Sequence, residues 1–159
     1  MILGMSTSTF TQLHVTISLI AILTGFVVVF GMAGGKRMGG LTAVFLATTI
    51  LTSVTGFLFP FAWTPGNIIG VLSMFLLTIA VLGLYVYNLA GAWRKAYVIT
   101  AVVSLYFNFF VLLVQSFQKV PALRQLAPTG SEPPFAIAQA LALALFVFLG
   151  YRAVNGFRV

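Results

Sequence analysis

Few side chains in this sequence could take part in acid–base, nucleophilic or metal chemistry. There is one histidine, His14, one acidic residue, Glu132, and no cysteine among 159 residues. Paired carboxylates for acid–base catalysis are therefore impossible within one chain, and thiol nucleophiles and thiolate ligands are excluded. No serine stands in a nucleophile-elbow motif, and no glycine-rich loop has phosphate-binding spacing. The sequence predicts no catalytic residue and no metal site.

His14 has the widest chemical range, because an imidazole can titrate near neutral pH, ligate a metal or contact a quinone. Three roles stay open: a structural hydrogen bond, haem or metal ligation, and proton-linked or quinone-contacting work. One histidine cannot supply both axial ligands of a bis-histidine haem, so a haem would need Met74, a symmetry mate or another subunit. Glu132 could cap the last helix or pair with Lys119 or Arg124.

The elements that must position these residues are apolar segments. The chain is 61% hydrophobic and 6% charged, whereas soluble domains carry about 25% charged residues. Five segments are near the length of about 17 to 25 residues that crosses a bilayer. They cover residues 13–32, 41–59, 67–89, 97–117 and 135–151. The sequence predicts an all-α, polytopic transmembrane helical bundle, a single domain over residues 1–159 with a loop at 118–134.

The basic residues predict the orientation of the bundle. With five spans, six of them fall on one side: Lys36, Arg37, Arg94, Lys95, Arg152 and Arg158. The other side holds two, and an excess of Lys and Arg marks the cytoplasmic side, so the N-terminus is expected outside and the C-terminus inside. Four spans plus a re-entrant segment is the alternative. The net charge of +7 is spread in pairs and forms no single patch, so nucleic acid is not an expected partner. The expected partners are the lipid bilayer and other membrane subunits or a second copy of the chain.

Polar residues inside the apolar segments recur at helical spacing. Thr100, Ser104, Asn108 and Gln115 would share one face of the fourth span. Polar side chains in hydrocarbon face other helices or a cavity, so such stripes predict interior faces. The row Ala136, Ala140 and Ala144 in the fifth span is a small-residue seam that permits close helix packing.

Combined with the orientation, the polar stripes place one group of side chains in the outer half of the membrane. Its members are His14, Thr55, Asn67, Gln115 and Gln139. The proline-rich loop at 118–134 lies on the same side and could cover them. His14, Gln115, Asn67 and Gln139 are the candidate cofactor-binding residues, with haem or quinone as the cofactor. The alternative is a purely structural polar core.

Four stretches of the chain carry a family resemblance. They are LHVTIS at 13–18, TTILTSVTGF at 48–57, KVPAL at 119–123 and LAPTGSEPPF at 126–135. Together they resemble a family of small bacterial inner-membrane proteins described as conserved, hypothetical and uncharacterised. The resemblance implies a bacterial inner-membrane location and no particular activity. It also implies a histidine in relatives at the position of Asn67, so that His14 here would lack a histidine partner.

These observations favour a small integral membrane protein without catalysis of its own, acting as an accessory or structural subunit or as a membrane binding module. A second reading is a redox-associated protein that holds haem or quinone in the outer half, with His14 and Gln115 as contacts. A third is a channel or transporter for a small neutral solute, with a path lined by hydroxyls of the second span and by Asn108. The missing intramembrane charges count against a proton-driven carrier.

Overall fold

A computed structural model describes residues 2–59 and 65–157 of the chain. Within these ranges the secondary structure is helical, apart from an isolated bridge between Ile2 and Met5. The helices are α1 (Thr7–Ala33), α2 (Gly39–Phe57), α3 (Pro65–Val81), α4 (Ala92–Lys119), α5 (Pro121–Leu126) and α6 (Pro133–Gly156), and α3 continues into a π-helical segment, Leu82–Val86.

Five of these helices are long and apolar enough to cross a bilayer, which confirms the predicted all-α bundle of five spans. Their apolar stretches have mean hydropathies from 1.6 to 2.5. Helices suit this environment because every interior backbone N–H and C=O is bonded within the segment itself. The last span, α6, is one continuous helix of 24 residues, so the alternative of a re-entrant fifth segment is wrong.

The helix ends differ from the predicted span ends, because hydropathy does not detect polar helical turns. α1 begins at Thr7, where the Ser6 side chain caps the helix by accepting a hydrogen bond from the Thr9 amide. The predicted loop at 118–134 contains the end of α4 and the short helix α5, which has a proline in its first turn. The irregular part of this connection is therefore shorter than expected.

The five spans form a closed ring in the order α1, α2, α3, α4, α6, with α6 returning to α1. Helices α1 and α4 also touch each other across the middle, and they have the largest buried share of the five. A single apolar cluster fills the space between them; its fully buried members include Val29, Phe45, Val98, Ala101 and Leu105. Thus α1 and α4 form the centre of the bundle.

Large apolar side chains cover the outside of the ring. Leu23, Phe75 and Leu141 are each about two-thirds exposed (67%, 68% and 66%). A soluble monomer rarely exposes apolar patches of this extent, whereas hydrocarbon solvates them without cost. The exposed surface is therefore the surface of a multi-pass membrane protein.

Glycines allow the closest approaches between helices. A Cβ at Gly25 of α1 would lie 2.6 Å from Leu105 Cδ1 and 2.8 Å from Phe45 Cε1. At the end of α6, a Cβ at Gly156 would lie 2.3 Å from the Ala33 carbonyl oxygen. Both contacts join α1 to a neighbour so closely that an added Cβ would force the neighbouring atoms to shift.

Candidate functional site

The single histidine makes one hydrogen bond between two spans. His14 Nδ1 lies 2.7 Å from Thr55 Oγ1, which joins α1 to the last turn of α2. The imidazole is partly buried, and Thr55 is buried. The pair that the sequence placed together in one half of the membrane is thus in direct contact.

The surroundings of Thr55 define which imidazole nitrogen carries the proton. Thr55 Oγ1 lies 2.7 Å from the Leu51 carbonyl oxygen, one turn back in α2. A carbonyl cannot donate, so the threonine hydroxyl must donate its only proton to Leu51. His14 Nδ1–H then donates to Thr55 Oγ1, and Nε2 is the nitrogen with a free lone pair. Within residues 2–59 and 65–157, no side chain or amide hydrogen-bonds to Nε2.

Apolar groups fix the plane of the His14 ring. The Phe59 ring meets it edge-on at 5.5 Å between centroids, and Phe59 also packs on the fully buried Phe10 at 5.1 Å. On the α2 side, the ring lies beside Gly56, where an added Cβ would make ordinary van der Waals contact with His14 Cε1 at 3.5 Å. Within the described residues, the imidazole is therefore held by the hydrogen bond to Thr55 and the Phe59 ring.

A second polar pair lies one turn further along α1. Ser18 Oγ donates to Asn108 Oδ1 at 2.9 Å, which links α1 to α4 in the centre of the bundle. The amide nitrogen Nδ2 of Asn108 is buried without a hydrogen-bond partner in the described structure. Such a group costs free energy unless something else satisfies it.

Two of the other predicted site residues, Gln139 and Gln115, make no hydrogen bond to His14 within the described residues. Gln139 Nε2 donates to the Phe110 carbonyl oxygen at 3.5 Å, and its Oε1 is buried without a partner among the described residues. Asn67 is partly buried in the first turn of α3 and has an interaction partner. Gln115 is exposed on α4. The structure therefore joins His14 to Thr55 and leaves Gln115 on the outer surface.

Most hydroxyls inside the spans are engaged by their own helix. Each donates to the carbonyl oxygen four residues back, at 2.6 to 2.8 Å: Thr11, Thr16, Thr24, Thr48, Thr49, Thr52, Thr55, Thr78, Thr100 and Ser104. This back-bonding satisfies a hydroxyl in hydrocarbon without a partner helix. The polar stripes thus contain few groups that remain available to a ligand.

Glu132 organises the connection before α6. Its carboxylate accepts hydrogen bonds from the Thr129 amide (3.0 Å), the Thr129 hydroxyl (2.6 Å) and the Ser131 amide (3.2 Å). These bonds favour the charged form, and the Thr129 hydroxyl is the main cause of a lowered pKa of Glu132. Glu132 occupies the N-cap position of α6, but its side chain bonds the preceding loop and not the helix amides.

Two features at the end of the bundle that carries the basic residues were not predicted from the sequence. The π-helical segment at the end of α3 is followed by Asn88 and Leu89, which both have positive φ (51° and 61°). Asn88 lines a cavity together with Lys36 and Arg37, which the sequence indicated only as markers of orientation. No sequence signal predicts the π-helical turn. Of the two residues with positive φ that follow it, only Asn88 is of a type that often adopts this conformation.

Comparison with family models, with curated proteins and with solved structures gives no significant match. The resemblance to small bacterial inner-membrane proteins therefore stays a prediction from the sequence.

Proposed function

We propose that this protein is a small integral membrane protein without catalysis of its own, acting as an accessory subunit of a membrane assembly. The proposal rests on one observation: most of the polar groups inside the spans form hydrogen bonds within the protein. Hydroxyls bond their own helices, and Ser18–Asn108 and His14–Thr55 tie spans together. A bundle whose polar groups serve packing is suited to a structural role more than to turnover of a substrate.

The outer face of α6 supports an accessory role. Its alanine row, Ala136, Ala140 and Ala144, is exposed, while α6 packs on the bundle through Ala142 and Phe146. The apolar stretch of α6 is 17% buried, against 39% in α1 and α4. Small residues four apart allow close approach of a second helix in lipid. The proposed partner is a helix of another membrane subunit seated on this row.

Two matched variants test this role in protein extracted from its native membrane with a mild detergent. We expect the wild-type protein to elute in a complex of fixed stoichiometry, with a mass that light scattering resolves. Ala140→Phe should release it as a monomer, because a phenyl ring blocks the alanine row. Leu141→Phe, on the neighbouring flank of the same helix, should leave the complex intact.

Other results would count against the role. A cofactor-bearing monomer with activity of its own would exclude it. A complex that survives Ala140→Phe would place the partner elsewhere, and a mass of two copies would replace the accessory role with self-association.

A second candidate function, haem or quinone binding at His14, is favoured by the imidazole tautomer. An Nδ1–H bonded to an oxygen with Nε2 left free is the arrangement that ligating histidines adopt. An absorption spectrum of the purified protein, together with quinone extraction, tests this function. A Soret band lost in His14→Ala and retained in Gln115→Ala would favour it over the accessory role, whereas absence of both haem and quinone would remove it.

The channel or transporter reading receives less support. The hydroxyls of α2 that would line a path donate to their own backbone, and Asn108 is engaged by Ser18. We propose the bacterial inner membrane as the location, supported by the family resemblance and by the distribution of basic residues.

A further inference from the structure

A cavity opens at the end of the bundle that carries Lys36 and Arg37, away from the His14–Thr55 pair. Its volume is about 180 Å³, and a cavity of about 150 Å³ is enough to hold a benzene molecule. The polar part of its lining comes from Lys36, Arg37, Thr42, Tyr85, Asn88 and Tyr97. Val28, Met32, Leu84 and Phe157 form the apolar part. The lining is thus cationic on one side and apolar on the other.

Among the residues that the structure describes, the two cations of this cavity have no acidic partner. The only acidic residue, Glu132, bonds Thr129 and Ser131 in the connection before α6. Within the described ranges, neither Lys36 nor Arg37 makes a side-chain hydrogen bond or ion pair. Arg94, by contrast, is occupied at the end of α6, where it donates to carbonyl oxygens. The positive charge at the cavity is therefore uncompensated within the described protein.

Backbone groups around the cavity also favour an anion. Met38 occupies the N-cap position of α2 but makes no capping bond, and its side chain instead lies against Gly31. The first intrahelical bond of α2 runs from the Thr42 amide to Met38, so the preceding amides of Gly39, Gly40 and Leu41 stay available at the positive end of the helix. The carbonyls at the end of α1 are already bonded by Gly34, Gly35 and Lys36 amides.

The opposite wall has an unusual backbone that positions its polar side chain. The π-helical segment Leu82–Val86 brings Leu84 and Tyr85 to the cavity. The following residues, Asn88 and Leu89, are both left-handed, a conformation that costs a bulky residue such as leucine free energy. π-helical turns and strained residues cluster at functional sites. Here they place Asn88 at the cavity beside the basic residues.

We infer that this cavity binds the phosphate group of an organic phosphate, with the anionic oxygens at Lys36, Arg37 and the Gly39 amide and the apolar substituent against Met32 and Leu84. Two sources share this chemistry, an anionic phospholipid head group and a soluble phosphate. The position of the cavity at a span end matches the depth of lipid head groups, and basic pockets between spans bind such groups. The inference does not depend on the accessory role.

Native mass spectrometry of the purified protein with added dioctanoyl phosphatidylglycerol provides the test. Removing both cations in Lys36→Ala/Arg37→Ala should weaken binding about thirtyfold, because each basic residue near an anionic surface contributes about 1 kcal/mol. Lys95→Ala/Arg152→Ala removes the same charge from the same end but outside the cavity, and should change binding less than about threefold. The inference would be overturned if both double variants weakened phosphatidylglycerol binding equally. It would also be overturned if the wild-type protein bound dioctanoyl phosphatidylcholine as tightly as dioctanoyl phosphatidylglycerol.

A second pair of variants separates loss of the site from loss of the fold. A Cβ at Gly39 or at Gly40 meets no atom within 4 Å, and only Gly39 lines the cavity. Glutamate is favourable in the first turn of a helix, so both variants should fold. Gly39→Glu should abolish phosphatidylglycerol binding and Gly40→Glu should weaken it less; equal binding by both would contradict the site.

Inorganic phosphate distinguishes the two sources. Displacement of the lipid by millimolar phosphate in the wild-type protein assigns the cavity to a soluble phosphate. Lipid binding that withstands phosphate but is lost in Lys36→Ala/Arg37→Ala assigns it to a head group. Absence of binding by both probes would overturn the inference.

Discussion

At the scale of single residues, the chemistry of this protein depends on which atoms are already bonded. Thr55 accepts from His14 and donates to Leu51, so one hydroxyl fixes the imidazole tautomer. Asn108 and Gln139 each keep one buried amide atom without a partner in the described structure. Polar residues that look equivalent in the sequence therefore differ in which of their atoms already have a hydrogen-bond partner.

Thr55→Val should remove the acceptor of the imidazole Nδ1–H while preserving the shape of the side chain. We expect a loss of about 0.6 to 2 kcal/mol in unfolding free energy, the range for interhelical hydrogen bonds in membranes. Thr55→Ser keeps the hydroxyl and serves as the control. Unfolding in mixed micelles gives the stability, and ¹⁵N shifts of the imidazole report the tautomer. Identical tautomer populations in the wild-type and valine proteins would contradict the assignment.

Glu132 makes the connection before α6 sensitive to acid. Its folded-state pKa is lowered, chiefly by the Thr129 hydroxyl, so the charged form stabilises the folded loop at pH values above the ordinary glutamate pKa. This contribution is lost as pH falls through the lowered folded pKa. A carbon-detected NMR titration of the Glu132 carboxyl should give a value below that of a free glutamate, and Thr129→Val should raise it. An unshifted carboxyl in the wild-type protein would disprove the predicted dependence.

At the scale of helices, two contacts define how the elements join. Gly25 brings α1 against α2 and α4, and Arg94 of α4 donates through Nη1 to the carbonyl oxygens of Val154 (2.9 Å) and Phe157 at the end of α6. The first contact depends on volume and the second on a charged hydrogen bond. Each predicts a different effect of substitution.

Gly25→Ala should destabilise the bundle by about 1 to 3 kcal/mol, the usual cost of overpacking a core. Its Cβ would lie 2.6 Å from Leu105 Cδ1 and 2.8 Å from Phe45 Cε1, and both side chains are fully buried, so they would have to shift within the core. Gly40→Ala is the control: it meets no atom within 4 Å and should stabilise α2 by about 0.5 to 1 kcal/mol. Chemical unfolding in micelles measures both, and opposite signs are expected.

Arg94→Met should loosen the last turn of α6. Loss of charged hydrogen bonds to Val154 and Phe157 should cost about 1.5 to 3 kcal/mol locally. Hydrogen exchange of the amides near the C-terminal end of α6 should accelerate, with little change in α1. Lys95→Met removes the adjacent exposed cation and should leave the exchange rates as they are. Equal acceleration in both variants would show that charge, and not the hydrogen bonds, stabilises this end.

At the scale of the whole molecule, the ring of five spans places its two ends in different chemical surroundings. One end holds the cavity with Lys36 and Arg37, and the other holds the His14–Thr55 pair. Arg158, counted with the basic end in the sequence, lies outside the described residues. The predicted orientation puts the basic end in the cytoplasm.

The absence of cysteine makes this orientation easy to test. Lys95→Cys and Ser131→Cys introduce single thiols at opposite ends of the bundle. In intact cells, a membrane-impermeant maleimide should label Cys at position 131 and leave position 95 unlabelled until the membrane is permeabilised. The reverse pattern would invert the topology.

The sequence by itself determined the spans, their number and the separation of charge between the two ends. Hydropathy and charge are properties of each segment alone, so they can be summed along the chain. The sequence also placed His14 and Thr55 in the same half of the bundle, but their direct contact was visible only in the tertiary structure. The order of the ring did not follow, since neighbours are decided by packing between distant segments.

The tertiary structure alone decided how each helix is rotated about its axis. Gln115 shares a sequence stripe with Ser104, yet Ser104 is buried and Gln115 is exposed. The alanine row of α6 likewise faces outward, because Phe146 and Ala142 fill the interior instead. Rotation depends on the combined fit of side chains from several helices, which no single segment encodes. The same fit created the cavity at Lys36 and Arg37, where the ends of separate helices meet.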